Sequence, residues 1–272
     1  MGDPDRVLVR DLRRGQAGRA RPRQEQHLIG ALLEVAANSV ASAGAAQAGG
    51  AGRVELCASL DEGGITPSHG TIALARRALA IPLYVLIRPR AGDFVYQDVE
   101  LAVMRDDIAH CRSLGCDGVV VGALAPDGEL DRGACAGLVA AASGMGVTFH
   151  RAFDLVADPA ATLEALIALG VERVLTSGGM PSAVAGASQL SRLVAQAGPR
   201  ITVMPGAGVA PDNIAALRDA TGAREFHASA KRRLPSAMRG APPDALGMGA
   251  GETRTDVDTV RALVAALAPR ST

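Results

Sequence analysis

The sequence predicts one α/β domain folded as a (β/α)8 barrel of the TIM type. Three observations carry that prediction. Short apolar runs recur, each about 21 to 35 residues after the last, a spacing that fits one strand plus one helix. Ala- and Leu-rich stretches with helix-start signals lie between them. The 272 residues accommodate eight such units in a single domain of ordinary barrel size. A doubly wound open sheet is the alternative, but no GxGxxG opens the first helix.

The predicted strands are LLEVA from Leu32, RVEL from Arg53, PLYVLI from Pro82 and DGVVVG from Asp117. They continue with VTFH from Val147, RVLTS from Arg173, ITVMPG from Ile201 and REFHAS from Arg224. Each is short and mostly β-branched or aliphatic, as strands covered on the outside by helices must be. Predicted helices run from Ser39 to Ala48, from Pro67-Ser68 to Leu79 and from Gln97 to Leu114. Others open at Asp158-Pro159 and at Pro211-Asp212, and the last spans Asp256 to Leu267. Asp158 before Pro159 is an N-cap followed by proline at the first helical position. Gly52, Gly115, Gly170 and Gly222 stand just before strands, where a left-handed cap turns the chain. Residues 29–272 form the barrel in this reading. Residues 234–255, dominated by Pro, Gly and Met, are expected to be a mobile loop. Residues 1–28 are Arg-rich without apolar periodicity and are expected to be a disordered leader.

Composition removes several function classes. The formal net charge is zero and aromatics are 2% with no Trp, which argues against nucleic-acid binding. The four cysteines at 57, 111, 116 and 135 form no CxxC, so neither a zinc framework nor a disulfide scaffold is indicated. No apolar run has the length of a membrane span or the pattern of a signal peptide, so the cytoplasm is the default location. Lys231 is the sole lysine among many arginines, a codon bias that weakens any inference from arginine number.

The chemistry is expected at the C-terminal ends of the strands. Charged residues inside a strand of such a barrel must point inward, because helices cover the outside. Glu34 lies in the first strand, and Glu55 lies in the second with Cys57 on the same face. Arg88 ends the third strand, and His150, Arg151 and Asp154 follow the fifth. These six charged or titratable residues are the candidate catalytic set. A purely structural alternative has Glu34 and Glu55 neutralised by Arg88 and Arg151. Three loops are suited to an anion: Ser177-Gly178 after strand six, Gly206 and Gly208 after strand seven, and His227, Ser229 and Lys231 after strand eight.

LLEVAANS, RVELCASLDEGGITPS, IRPRAGDFVY, VTFHRAFD, RVLTSG, GAGV and EFHASA, in that order, resemble the CutC family, named for copper homeostasis. The resemblance implies a TIM barrel, a cytoplasmic location, a homo-oligomer (dimer or tetramer) and handling of Cu(I). It also implies that Cys57 is the copper ligand. The second thiol of the family's E-x-C pattern is missing, since Ala36 and Ala37 follow Glu34-Val35. Soft copper prefers two or more sulfur ligands, and Met204, Met238 and Met248 are the other sulfurs considered. Beside the copper function stands an enzyme acting on a small anionic, phosphorylated substrate. There Glu34 or Glu55 is the base, His150 the acid or its partner, and Arg88 and Arg151 the clamps.

Overall fold

The computed structural model describes residues 31–268 apart from 237, 239 and 241–250. The predicted leader, residues 1–28, lies outside the described residues, as does Met248. Eight parallel strands form one sheet: β1 (Leu32–Ala37), β2 (Arg53–Leu56), β3 (Leu83–Leu86), β4 (Gly118–Val121), β5 (Gly146–Phe149), β6 (Arg173–Thr176), β7 (Thr202–Pro205) and β8 (Glu225–Ala228). Each pairs with its sequence neighbour from β1 through β7, and β1 also pairs with β8. The sheet ends, β7 and β8, come side by side, so the sheet curls into a nearly closed (β/α)8 barrel.

Among the described residues eight helices surround it: α1 (Val40–Ala48), α2 (His69–Ala78), α3 (Asp98–Ser113), α4 (Arg132–Ala141), α5 (Pro159–Ala168), α6 (Ala187–Ala197), α7 (Ile214–Thr221) and α8 (Val257–Leu267). The expected caps are formed. Ser39, Ser68, Asp158 and Asp256 each accept a hydrogen bond from a backbone N–H of the first turn. The helix expected at Pro211 begins at Ile214 instead, because Asn213 accepts from the Ala210 N–H and holds 210–213 in a turn. Gly115, Gly170 and Gly222 adopt positive φ as predicted, but at the first helix the left-handed residue is Gly50. Gly52 serves a different end: a Cβ there would stand 2.8 Å from Leu32 Cγ on the neighbouring strand. Among the described residues, no helix is long and apolar enough to cross a membrane.

Of the expected loop, residues 234–255, residues 237, 239 and 241–250 lie outside the described residues, and its two edges are strand. Lys231–Pro235 (β9) and Gly251–Thr255 (β10) pair as an antiparallel hairpin, with Leu234 opposite Glu252 and Lys231 opposite Thr255. The polar, exposed residues of these strands carry no apolar alternation, so periodicity missed them.

Each barrel strand sends alternate residues to two different interiors. Leu33, Val35, Val54, Leu56, Leu83, Val85, Val119, Phe149, Val174 and Phe226 face the helices and join one apolar core. The intervening residues fill the barrel, and in its lower part they are charged. Arg53 binds Glu34 through Nε and Glu225 through Nη2 (2.6 Å). Arg173 also binds Glu225, and donates to Thr148 Oγ1 (3.2 Å) and Glu172 (2.6 Å). Both guanidinium groups lie over the Tyr84 ring, at 5.1 and 5.4 Å from its centroid. Glu34, Arg53, Arg173 and Glu225 are all buried. Two strong cations thus hold two carboxylates ionised in the barrel centre, since each charge has a partner at hydrogen-bond distance.

Removing one member strands the others. Arg53→Met is expected to lower stability by about 3–5 kcal/mol, because Glu34 and Glu225 each lose a charged partner while buried. Urea unfolding at neutral pH measures it, and a loss under about 1 kcal/mol would show that water or Arg173 compensates.

Candidate active site

Above this ion-paired floor, three side chains from neighbouring strands meet. Glu34 on β1 and His227 on β8 are directly paired in the ladder, so their side chains leave the sheet together. His227 Nδ1 lies 2.8 Å from Glu34 Oε1, and Nε2 lies 3.5 Å from Glu55 Oε2 on β2. One ligand atom from each of the three fits within 4.8 Å. The imidazole thus bridges two carboxylates, with Glu34 fully buried and the other two side chains slightly open, at 8% for Glu55 and 13% for His227.

The two carboxylates are chemically different. Burial alone would raise Glu34, but the Arg53 charge and the hydrogen bond from His227 outweigh it and hold the group far below the usual carboxylate range. Glu55 lacks a guanidinium partner at bonding distance; burial pushes it up to about 7, with His227 opposing and the Glu34 charge adding. His227 is raised: burial would lower it, but Glu55 and Glu34 together win. Glu34 therefore stays ionised and accepts from Nδ1–H, while Nε2 faces Glu55, whose proton affinity burial has raised.

The other predicted site residues fall into separate places. Arg88 pairs with neither Glu34 nor Glu55, contrary to the structural alternative. Its guanidinium donates to the carbonyls of Glu62 (2.9 Å), Gly64 (2.7 Å) and Gly92 (2.7 Å). Arg151 also misses them: it binds Asp154 (2.7 Å) and Ser177 Oγ (3.1 Å). Asp154 in turn accepts from Thr176 Oγ1 (2.5 Å), Ser177 N (2.9 Å) and Gly179 N (3.1 Å). The loop after β6 does cradle an anion, but that anion is the chain's own Asp154 carboxylate. The Gly178 N–H is likewise used internally, donating to Thr176 Oγ1 at 2.8 Å. Gly206 packs beside Leu175 and His227, and its N–H donates to the Thr176 carbonyl (3.0 Å). Gly208 follows Ala207, and both hold positive φ (71° and 73°). Ser229 precedes Ala230, also at positive φ (44°). Such backbone in non-glycine residues is uncommon and clusters at functional sites. Lys231 is half-exposed, with Nζ 3.4 Å from Asp61.

The CutC family model matches residues 31–232. The chain belongs to the CutC family. A CutC family protein of Xylella fastidiosa strain Temecula1 is 58% identical over 236 residues, covering 87% of this chain and 88% of its own. The copper homeostasis protein cutC homolog of Mus musculus is 49% identical over 210 residues, or 77% of each chain. Among solved structures, CutC from Streptococcus agalactiae superposes with TM-score 0.71 at 34% identity, covering 73% of this chain and 98% of that one. Thiamine phosphate pyrophosphorylase of Pyrococcus furiosus, at 14% identity and TM-score 0.54, shares the fold alone.

Copper in the names of CutC proteins makes the soft donors of this chain worth testing. Cys57 is buried, its thiol donates to the Ala37 carbonyl (3.7 Å), and it packs with Tyr84, Leu86 and Val120. Burial and the nearby Glu55 charge push its pKa up, so it keeps its proton. Met204 Sδ already accepts from Arg53 Nη2 (3.4 Å). Met238 is 68% exposed, out on the residues after β9. A protonated thiol with no second sulfur beside it among the described residues is a poor Cu(I) site, and Cys57, Met204 and Met238 do not fit the ion. The cluster that does have ligand spacing, Glu34, Glu55 and His227, offers only oxygen and nitrogen.

Arg53, Arg173 and Glu225 were missed as site residues by sequence reasoning. Strand parity was the available signal: Arg53 shares a face with Glu55, and Glu225 shares one with His227.

Both Glu55 and His227 keep protons in the folded state at pH values where the unfolded chain has released them. The stabilisation this gives is present at low pH and is lost as pH rises, for Glu55 through about 7. Glu55→Gln imitates the protonated acid permanently. Its stability relative to wild type should therefore rise between pH 5 and pH 8, as read by paired urea titrations. A flat difference would mean that Glu55 titrates as an ordinary carboxyl.

Proposed function

We propose that this CutC protein is an acid–base enzyme acting on a small anionic substrate at the barrel mouth. One observation carries the reading: a buried histidine stands between two carboxylates whose proton affinities are driven apart. Such splitting assigns roles. Glu34, locked ionised by Arg53, orients His227 and stabilises its charged form. Glu55 and His227 share the mobile proton, take one from the substrate and return it elsewhere. A group titrating near neutrality suits proton transfer in both directions, as in an isomerase or a lyase. The loops after β7 and β8, with positive φ at Ala207, Gly208 and Ala230, border His227 and are where the substrate's charged end would be held. A cytoplasmic setting fits this reading, since small phosphorylated and carboxylated metabolites are found there.

The copper reading keeps support from the names of relatives, and one pair of experiments separates the two. Small hydroxy and oxo acids and their phosphates are incubated with the protein in D2O and followed by mass spectrometry. Wild type should incorporate deuterium into its substrate, and Glu55→Gln should reduce the rate by about 10²-fold or more. Cu(I) titration should give the same stoichiometry for wild type and Cys57→Ser. Tight Cu(I) binding that disappears in Cys57→Ser would overturn the enzyme in favour of copper handling.

A further inference from the structure

Glu34, Glu55 and His227 occupy the β1–β2–β8 side of the mouth. The β3–β4–β5 side is built from different chemistry. Two residues beyond the Leu86–Val120 and Val120–Thr148 pairs, Arg88, Gly122 and His150 fall in one row across three neighbouring strands. All three carry the barrel-facing parity, as Thr148 shows by its bond to Arg173 two residues before His150. Gly122 supplies no side chain, and a Cβ there would collide with the His150 ring. Arg88 and His150 also share one ring: the Arg88 guanidinium is 5.0 Å and the His150 imidazole 4.7 Å from the Phe94 centroid.

Both residues are 5% exposed, and each keeps a donor without a partner. His150 Nδ1 accepts from the Ala152 N–H (3.2 Å), which fixes the proton of the neutral ring on Nε2. That Nε2 has no acceptor, and Arg88 Nε has none at hydrogen-bond geometry, the Tyr96 hydroxyl beside the Arg88 side chain being likewise unpartnered. Arg88 is also a buried cation without a counter-ion: among the described residues no carboxylate lies within 4.0 Å of it, and its other nitrogens meet neutral carbonyls. A buried charge in this condition is costly unless a ligand of opposite sign completes it. Burial and the Arg88 charge together lower His150 to about 3, so the ring stays a neutral donor at any working pH.

We infer that Arg88 and His150, set around Gly122, form the binding subsite for a carboxylate of the substrate. The negative charge completes Arg88, and the His150 Nε2–H supplies a second hydrogen bond without adding another cation. Glu62 and Gly64 carbonyls tie the β2–α2 loop onto Arg88 and fix its guanidinium in place. The inference rests on the reading of the mouth as a substrate site and deepens it: besides the charged end held by the loops after β7 and β8, the substrate carries a carboxylate on the opposite wall. The reacting group faces Glu55 and His227 while its carboxylate lies on the opposite wall.

The test uses 15N-histidine labelling of the full chain, which has only five histidines, with sodium oxalate as probe and inorganic phosphate in parallel. The His150 Nε2–H resonance should be present without ligand and should shift saturably with oxalate. Phosphate should leave it unmoved. Arg88→Leu and His150→Phe should each weaken oxalate binding about tenfold or more, the loss expected for one charge-assisted bond. No saturable shift of His150 in wild type, or a shift with phosphate alone, overturns the subsite, whether or not the variants fold. Oxalate binding at His150 without deuterium exchange on any acid would leave the subsite standing and remove the acid–base enzyme; exchange without oxalate binding would do the reverse.

Discussion

The ionised carboxylate of Glu34 at the barrel centre is the constraint on which the rest of the interior depends. A fully buried negative charge is tolerated only with partners, and the barrel provides two of opposite kinds. Arg53 neutralises it from below. His227 receives it from above and is thereby fixed in orientation and raised in basicity. Because Arg53 also grips Glu225, and Arg173 grips Glu225 and Thr148, the charge of one strand is locked to β2, β5, β6 and β8. An apolar plug would fill this barrel as well. It would not leave Glu55 beside a charged pair, with a proton held near neutral pH.

The same arrangement divides labour around the mouth. Titratable groups gather where β1, β2 and β8 adjoin. Fixed donors gather where β3, β4 and β5 adjoin. The β6 loop, by contrast, is closed by Asp154 and holds itself together. Cys57 lies on the inner face between the first two groups, yet its neighbours are an aromatic ring, aliphatic side chains and a carbonyl. Such surroundings suit a small buried hydrophobe. Cys57 and its neighbours therefore offer the copper of the family's name no soft ligand set.

Much of the barrel was legible in the linear text. Strand positions, most caps and the strand-end location of charged residues follow from local rules: β-branched runs, polar N-caps, and helices covering one face of every strand. Glu34, Glu55 and His227 were identified as candidates because charges within buried strands need a reason. Their partners were not legible. Arg88 and Arg151 stood nearest the carboxylates in motif terms, but Arg53 and Arg173, inconspicuous at strand starts, hold the inner charges. The β9–β10 hairpin was also invisible, since its pairing is exposed and polar.

The sequence by itself determined the class of fold, the order of its elements and which side chains had to turn inward, because hydrophobic period and backbone chemistry act over a few neighbouring residues. Tertiary structure alone decided which charge meets which. Glu34 and His227 are 193 positions apart, and Arg173 and Glu225 are 52 apart. Their contact, and the separation of Glu34 from Glu55 in proton affinity, depend on strand register, barrel closure and shared burial, and none of these is a property of any local stretch of chain.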